Sequence, residues 1–111
     1  MEYTFAPIEK LDGTSKQEEY PVPPCKLVER FGVPKLISSD DLGTYIFASD
    51  SGEIFTVYMI AYDVAEEAVP QFREEFWALP TPVPMSIGGH TGENIGDFKS
   101  WLTEQLQSAG C

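Results

Sequence analysis

Basic residues are scarce in this chain. Only 7 of its 111 residues are Lys or Arg, whereas 18 are Asp or Glu, so the formal net charge at pH 7 is −11. A molecule with this charge is repelled by the phosphates of DNA, of RNA and of anionic membranes. The composition therefore argues against these as direct partners, and it favours a positively charged protein partner.

Long apolar runs and closely spaced cysteines are also missing. The longest apolar run, 57–62, has six residues, whereas a membrane-spanning helix needs roughly 20. The first residues include an acid and a proline, unlike a secretory leader, so we expect a cytoplasmic protein. Cys25 and Cys111 lack the density of a secreted disulfide framework and the spacing of zinc ligands. We expect two reduced thiols, with a disulfide between them as the alternative.

The only histidine does not belong to a recognisable catalytic motif. His90 lies in the glycine-rich segment 88–96, which lacks the lysine and following Ser or Thr of a phosphate-binding loop. Glu93 and Asp97 in and next to this segment would repel a phosphate. The paired acids elsewhere do not have the spacing of a calcium loop. We predict a protein that is not an enzyme and has no cofactor or metal site. A small hydrolase or ligand-binding domain that uses His90 remains an alternative.

Proline, glycine and the spacing of apolar residues predict three helices, at about 24–31, 70–79 and 95–108. Prolines are well placed in the first turns of the first two helices, and Gly32 is well placed to end the first. Asn94 is a good N-cap for the third. In each segment the apolar side chains recur every three or four residues, as on the buried face of a helix.

Runs of β-branched and aromatic residues predict the strands. Residues 44–62 form the clearest pattern, a β-hairpin with its turn at 49–52. Both faces of its second strand are apolar, so we expect a central strand covered by helices. Weaker patterns indicate strands at 2–8 and 85–87, and the polar stretch at about 9–20 predicts a mobile loop. The expected fold is a single compact α+β domain with a mainly antiparallel sheet.

The acidity is concentrated in the later part of the chain. Residues 1–35 contain six acids and five bases, whereas residues 36–111 contain twelve acids and only two bases. This imbalance predicts a broad negative surface, which would steer a basic protein towards it. The candidate interface consists of seven acids and two aromatic residues for its packed centre: Asp40, Asp41, Asp63, Glu66, Glu67, Glu74, Glu75, Tyr58 and Tyr62.

Two aromatic-rich segments, 25–32 and 43–47, together with the size, the acidity and the order of elements, give the chain a resemblance to a known group. It resembles the small immunity proteins that neutralise bacterial polymorphic toxins, including those of contact-dependent growth inhibition. The resemblance implies a cytoplasmic inhibitor of one cognate toxin, often a basic nuclease, with acids set against the basic substrate cleft. A phage or mobile-element protein that mimics DNA to inhibit a host protein is the alternative.

Overall fold

The computed structural model describes residues 2–61 and 63–111. Five strands and three α-helices are present in these residues. The strands are β1 (Tyr3–Phe5), β2 (Ser15–Val22), β3 (Asp41–Ser49), β4 (Ile54–Ile60) and β5 (Val83–Gly89). The helices are α1 (Pro24–Phe31), α2 (Val69–Trp77) and α3 (Ile95–Leu106). Two short 3₁₀ turns, Ile8–Leu11 and Glu66–Ala68, precede β2 and α2. The predicted single α+β domain is confirmed.

All five strands form one antiparallel sheet in the order β1-β3-β4-β5-β2. The predicted hairpin is its centre, with β3 and β4 paired from Ala48 and Ile54 at the turn to Asp41 and Ile60 at the open end. One consequence of this order is that the first two strands of the chain lie on opposite edges of the sheet.

The prediction of a mobile loop at 9–20 was wrong, because residues 15–22 form β2 and pair with β5 along their whole length. The segment looks like a loop because most of its side chains are exposed. An edge strand is stabilised mainly by backbone hydrogen bonds to its one partner and needs no apolar pattern. Lys16, Pro21 and a bulge near Glu18 are features that keep such an edge from pairing with another chain.

The three helices cover one face of the sheet and form the main core with it. Alternate residues of β4, Phe55 and Val57, point into this core, where the Phe98 ring of α3 stacks on Phe55 with a centroid distance of 4.7 Å. The other face is covered differently from the prediction. Ile54 packs there with Ala6 and with Leu11 of the first 3₁₀ turn, and among the described residues no α-helix contributes to this second cluster.

Cys25 and Cys111 form a disulfide with their Cα atoms 6.2 Å apart, a normal separation for such a bond. The expectation of two reduced thiols was therefore wrong. The first turn of α1 and the segment after α3 lie side by side, where the Gly110 amide also donates to the Glu29 carboxylate at 3.1 Å. The pairing depends on this tertiary contact, which spacing along the chain does not reveal.

Candidate functional site

Six of the predicted interface acids are exposed and belong to neighbouring segments: Asp40, Asp63, Glu66, Glu67, Glu74 and Glu75. We call this set the acidic surface. The Ala61 amide donates to the Asp40 carbonyl at 2.8 Å and so joins the turn before β3 to the segment after β4. That segment leads through the second 3₁₀ turn into α2, which packs against β3. The folded chain thus gathers these acids around the open end of the hairpin.

Arg73 of α2 lies close to these acids, and its contacts tie it to the protein. The Arg73 guanidinium donates from Nε and Nη2 to the backbone carbonyl of Asp41, at 3.2 and 2.9 Å. The guanidinium is held in this position and stabilises the junction of α2 and β3. The acidic surface keeps a large excess of negative charge.

Asp41 does not belong to this surface. The residue is 3% exposed, and its carboxylate accepts hydrogen bonds from the amides of Ile37 and Gly43 and from the Thr44 hydroxyl, each at 2.9 Å. A carboxylate buried in this way fixes the segment before β3 onto the strand. Its inclusion among the predicted contacts was wrong, because sequence charge does not distinguish a solvated acid from one enclosed by backbone amides.

Of the two aromatic residues predicted for the centre of the interface, Tyr58 does not join the acids. It is half-buried on the sheet face opposite the main core, where it pairs with Thr44 and Ser86 of the adjacent strands. Tyr62 lies outside the described residues. Asp63, the next residue, has a left-handed backbone with φ of 57°, which turns the chain sharply after β4.

A second group of acids lies at the other end of the hairpin and has structural roles. The Glu93 carboxylate accepts from the amides of His90 and Ile54 at 2.8 and 3.0 Å, and Glu53 accepts from the Asn94 amide at 3.0 Å. Asp97 lies in the first turn of α3, a favourable place for a negative charge. Most of the later acids are therefore divided between the two ends of the hairpin, which corrects the expectation of one broad negative surface.

An apolar groove adjoins the acidic surface and was missed by sequence reasoning. It has a volume of about 490 Å³ and lies between α2 and the segment that follows α1. Its walls include Val33 and Leu36, which are 88% and 52% exposed, and Trp77, and Glu74 belongs to its rim. The sequence does contain these apolar residues, between residues that favour turns. They lack the spacing of a helix or a strand, so the sequence pattern did not indicate a shared surface.

Backbone and side-chain hydrogen bonds hold the groove in shape. Lys35 and Thr44 exchange two backbone hydrogen bonds of 3.0 and 2.8 Å, and Trp77 donates from Nε1 to the Leu42 carbonyl at 2.6 Å. Gly43 makes the close approach possible, because a Cβ there would collide with Pro34 and lie 2.7 Å from the Trp77 ring. A fixed apolar surface of this kind is typical of a protein interface.

The alternative hydrolase would need a nucleophile or a carboxylate paired with the imidazole of His90. Its imidazole lies over Gly13, and in the described residues no thiol, hydroxyl or carboxylate hydrogen-bonds to its ring nitrogens. Cys25 is in the disulfide and is not a nucleophile in this form. The described residues also contain no cluster of three or more His, Cys, Asp or Glu placed to hold a metal ion.

No protein-family model matches this chain, and no curated protein matches its sequence. No helix in residues 2–61 and 63–111 has the length and apolar character needed to cross a membrane. The structure defines an α+β domain whose distinguishing external features are the acidic surface and the adjoining groove.

Proposed function

We propose that this chain is a binding protein without enzymatic activity, an immunity protein that neutralises a cognate basic bacterial toxin in the cytoplasm. The acidic surface would occupy the positively charged cleft in which such a toxin, a nuclease in particular, holds substrate phosphates. The single observation that carries the proposal is the group of six exposed acids around the open end of the hairpin, with the nearby Arg73 tied to the backbone.

In the proposed complex, the negative charge raises the association rate, and the apolar groove forms the packed centre of the interface. Negative potential raises the association rate with a basic partner, whereas tightly packed apolar contacts slow dissociation. In this proposal Val33, Leu36 and Trp77 provide the packed centre in place of Tyr58. The acidic surface and the groove contain neither Cys25 nor Cys111, so the proposed contacts do not require the disulfide.

The first test is capture of the partner from the native cell extract at low salt, followed by its identification and an assay of its activity. A basic protein whose toxic activity is blocked in proportion to the bound chain supports the proposal. A partner that lacks such activity and competes with DNA for the chain's acidic surface would indicate DNA mimicry instead. An acidic partner, or a basic toxin that stays fully active in the complex, would contradict the proposed immunity function.

The second test locates the charged contacts with two variants of equal charge. One carries Glu66→Lys, Glu67→Lys and Glu74→Lys in the acidic surface, and its control carries Glu9→Lys, Asp12→Lys and Asp50→Lys at exposed positions elsewhere. Association of the first with the captured partner should be at least about tenfold slower at low salt, and the control should change it far less. An equal decrease of the association rate in both variants would show that the acidic surface is not part of the interface.

A third test addresses the groove separately from the charge. Leu36→Ala should speed dissociation of the complex, because it removes apolar contact from the packed centre. The control is Ile8→Ala, which truncates a residue of comparable exposure outside the groove, 43% against 52%. An unchanged dissociation rate for Leu36→Ala would show that the groove lies outside the contact.

A further inference from the structure

A second concave site lies on the sheet face that the helices leave open. Its volume is about 210 Å³, and its lining includes Thr44, Thr56 and Gly88 from the three central strands, with Leu11 on one side and Ile37 on the other. We call it the sheet pocket. It shares no residue with the apolar groove. A cavity of about 150 Å³ holds a benzene ring, so this pocket has room for a ring and a short substituent.

Both sides of the sheet pocket are fixed by hydrogen bonds. On one side the amide and hydroxyl of Thr14 both donate to the Leu11 carbonyl, at 2.9 and 2.7 Å. On the other side the Asp41 carboxylate accepts a hydrogen bond of 2.9 Å from the Ile37 amide. At the base, Gly88 leaves room that a side chain would fill, because a Cβ there would collide with the Thr56 hydroxyl. The pocket is formed without a ligand, as most small-molecule sites are.

The hydroxyl groups that line the pocket mostly offer hydrogen-bond acceptors. Three of them already donate their protons: Thr14 to the Leu11 carbonyl, Ser38 to Asp40 and Thr44 to Asp41. A hydroxyl whose proton is engaged still has lone pairs that can accept. A ligand that donates several hydrogen bonds fits this lining better than one that only accepts them.

Thr56 adds a hydroxyl that has no partner within the described residues. The residue is 2% exposed and lines the pocket, and its Oγ1 is not among the fully enclosed side-chain atoms of the described residues, so the hydroxyl can be reached from the pocket. A hydroxyl in such a position, without a protein partner, can bind a ligand or a water. Because the Thr56 hydroxyl lies beside Gly88, it is available to a ligand at the base of the pocket.

Charge and ring contacts complete the chemistry. The Asp41 carboxylate also lines the pocket and receives its hydrogen bonds from uncharged donors. Together with the net charge of −11, it disfavours an anionic ligand and favours a cationic one. Tyr58, Ile37 and Leu11 provide an aromatic ring and aliphatic walls for an apolar body. An aromatic ring also attracts a nearby cation.

We propose that the sheet pocket binds a small organic ammonium ion that carries a compact apolar body, such as an arylalkylamine. The ammonium group donates to Thr56 and to the acceptor hydroxyls, and the apolar body packs between Leu11 and Ile37. The sheet pocket shares no residue with the acidic surface or with the apolar groove, and neither proposal depends on the other.

The experiment is a titration followed by the backbone amide signals of the protein in NMR. The probe is 2-phenylethylamine, with phenylacetate as the anionic control of similar shape and ethylamine as the cation without a ring. We expect saturable shifts centred on Gly88, Thr56 and Ile37 with the first probe alone. Shifts centred on the acidic surface, or equal effects of ethylamine, would show unspecific attraction of cations and overturn the proposal.

Three variants test the assigned contacts. Thr56→Val removes the hydroxyl with little change of shape and should weaken binding of 2-phenylethylamine about tenfold, the effect of losing one hydrogen bond to a charged group. Thr56→Ser keeps the hydroxyl and should bind nearly as the unaltered chain does. The matched control Ser100→Ala removes an exposed hydroxyl on α3 and should change nothing.

Gly88→Ala places a methyl group in the base of the pocket and should abolish binding of the same probe. If this variant does not fold, the pair Thr56→Val and Thr56→Ser decides the matter alone. Equal affinity in the unaltered chain and in Thr56→Val, or the absence of saturable shifts up to the millimolar range, would overturn the proposal.

Discussion

At the scale of single residues, Asp41 shows how burial changes the role of an acid. Its carboxylate accepts three hydrogen bonds and connects the turn before β3 to the strand. The carboxylate of Asp40, the neighbouring acid, is exposed and accepts a hydrogen bond from the nearby Ser38 hydroxyl. Two adjacent aspartates therefore have different roles, and the sequence does not distinguish these roles because both residues carry the same charge.

Asp41→Asn should lower the free energy of unfolding by about 1–3 kcal/mol, because an amide group replaces an oxygen that accepts a hydrogen bond and leaves a buried donor facing it. Urea unfolding at neutral pH measures the change. Asp40→Asn is the control, and its effect should stay within about 0.5 kcal/mol, as is usual for an exposed position. Equal losses in the two variants would contradict the structural role of Asp41.

Burial of Tyr45 should make the stability of the protein depend on pH in the alkaline range. The residue is 3% exposed and donates to the Gly32 carbonyl at 2.6 Å, and burial raises the pKa of its hydroxyl above the ordinary value. Below about pH 10 the tyrosine is neutral in both the folded and unfolded chains. Above that pH the unfolded chain releases the proton while the folded chain retains it, so stability falls as the pH rises.

Tyr45→Phe should therefore lose less stability than the unaltered chain between about pH 9 and 11, although its stability at pH 7 should be about 1 kcal/mol lower because the hydrogen bond is gone. Part of the alkaline loss should remain, since the pKa of Tyr3 is also raised, by burial and by Asp97 and Glu53. Urea midpoints across this range provide the measurement. Parallel curves for the two proteins would rule out Tyr45 as the source.

At the scale of elements, segments with a periodic apolar pattern were predictable from the sequence. Features that depend on contacts between distant segments were not. Helix α1 was predicted with its observed bounds, and the central hairpin within a few residues, because capping residues and apolar alternation are local signals. Strand β2 lacked such a signal, since an edge strand with exposed side chains has the composition of a loop. The groove beside α2 arises from packing between distant segments.

The disulfide between α1 and the segment after α3 should contribute about 2–4 kcal/mol, because its cysteines are 86 residues apart and the bond restricts the unfolded chain. Dithiothreitol should lower the thermal midpoint of the unaltered chain to that of the variant Cys25→Ser/Cys111→Ser. The same reductant should leave the double variant unchanged. Free thiols titrated in the native, unreduced protein would contradict the bond.

At the scale of the whole molecule, the acids of the proposed interface carry a cost in stability. Like charges repel each other within a compact molecule that has a net charge of −11. The composition made the excess of acids predictable, but their division between two ends of the hairpin depends on the sheet order. Binding to the proposed basic partner would relieve this repulsion, which the free protein tolerates.

Glu66→Gln, Glu67→Gln and Glu74→Gln together should raise the free energy of unfolding by about 0.5–2 kcal/mol at low salt, and added salt should reduce the gain. The control is Glu53→Gln with Glu93→Gln, which also removes negative charge but weakens hydrogen bonds to the amides of Ile54, His90 and Asn94. The control should lose stability. A similar gain in both variants would show that position does not matter.

The sheet order also determines when each strand can pair during synthesis. Strand β1 pairs with β3, and β2 pairs with β5, so both edge strands leave the ribosome well before their partners. Contacts between residues so far apart in sequence make folding slow. The central hairpin is the earliest part of the sheet that can form from neighbouring residues. The nascent chain therefore carries β1 unpaired until β3 emerges and β2 unpaired until β5 emerges, and it is most exposed to aggregation during this interval.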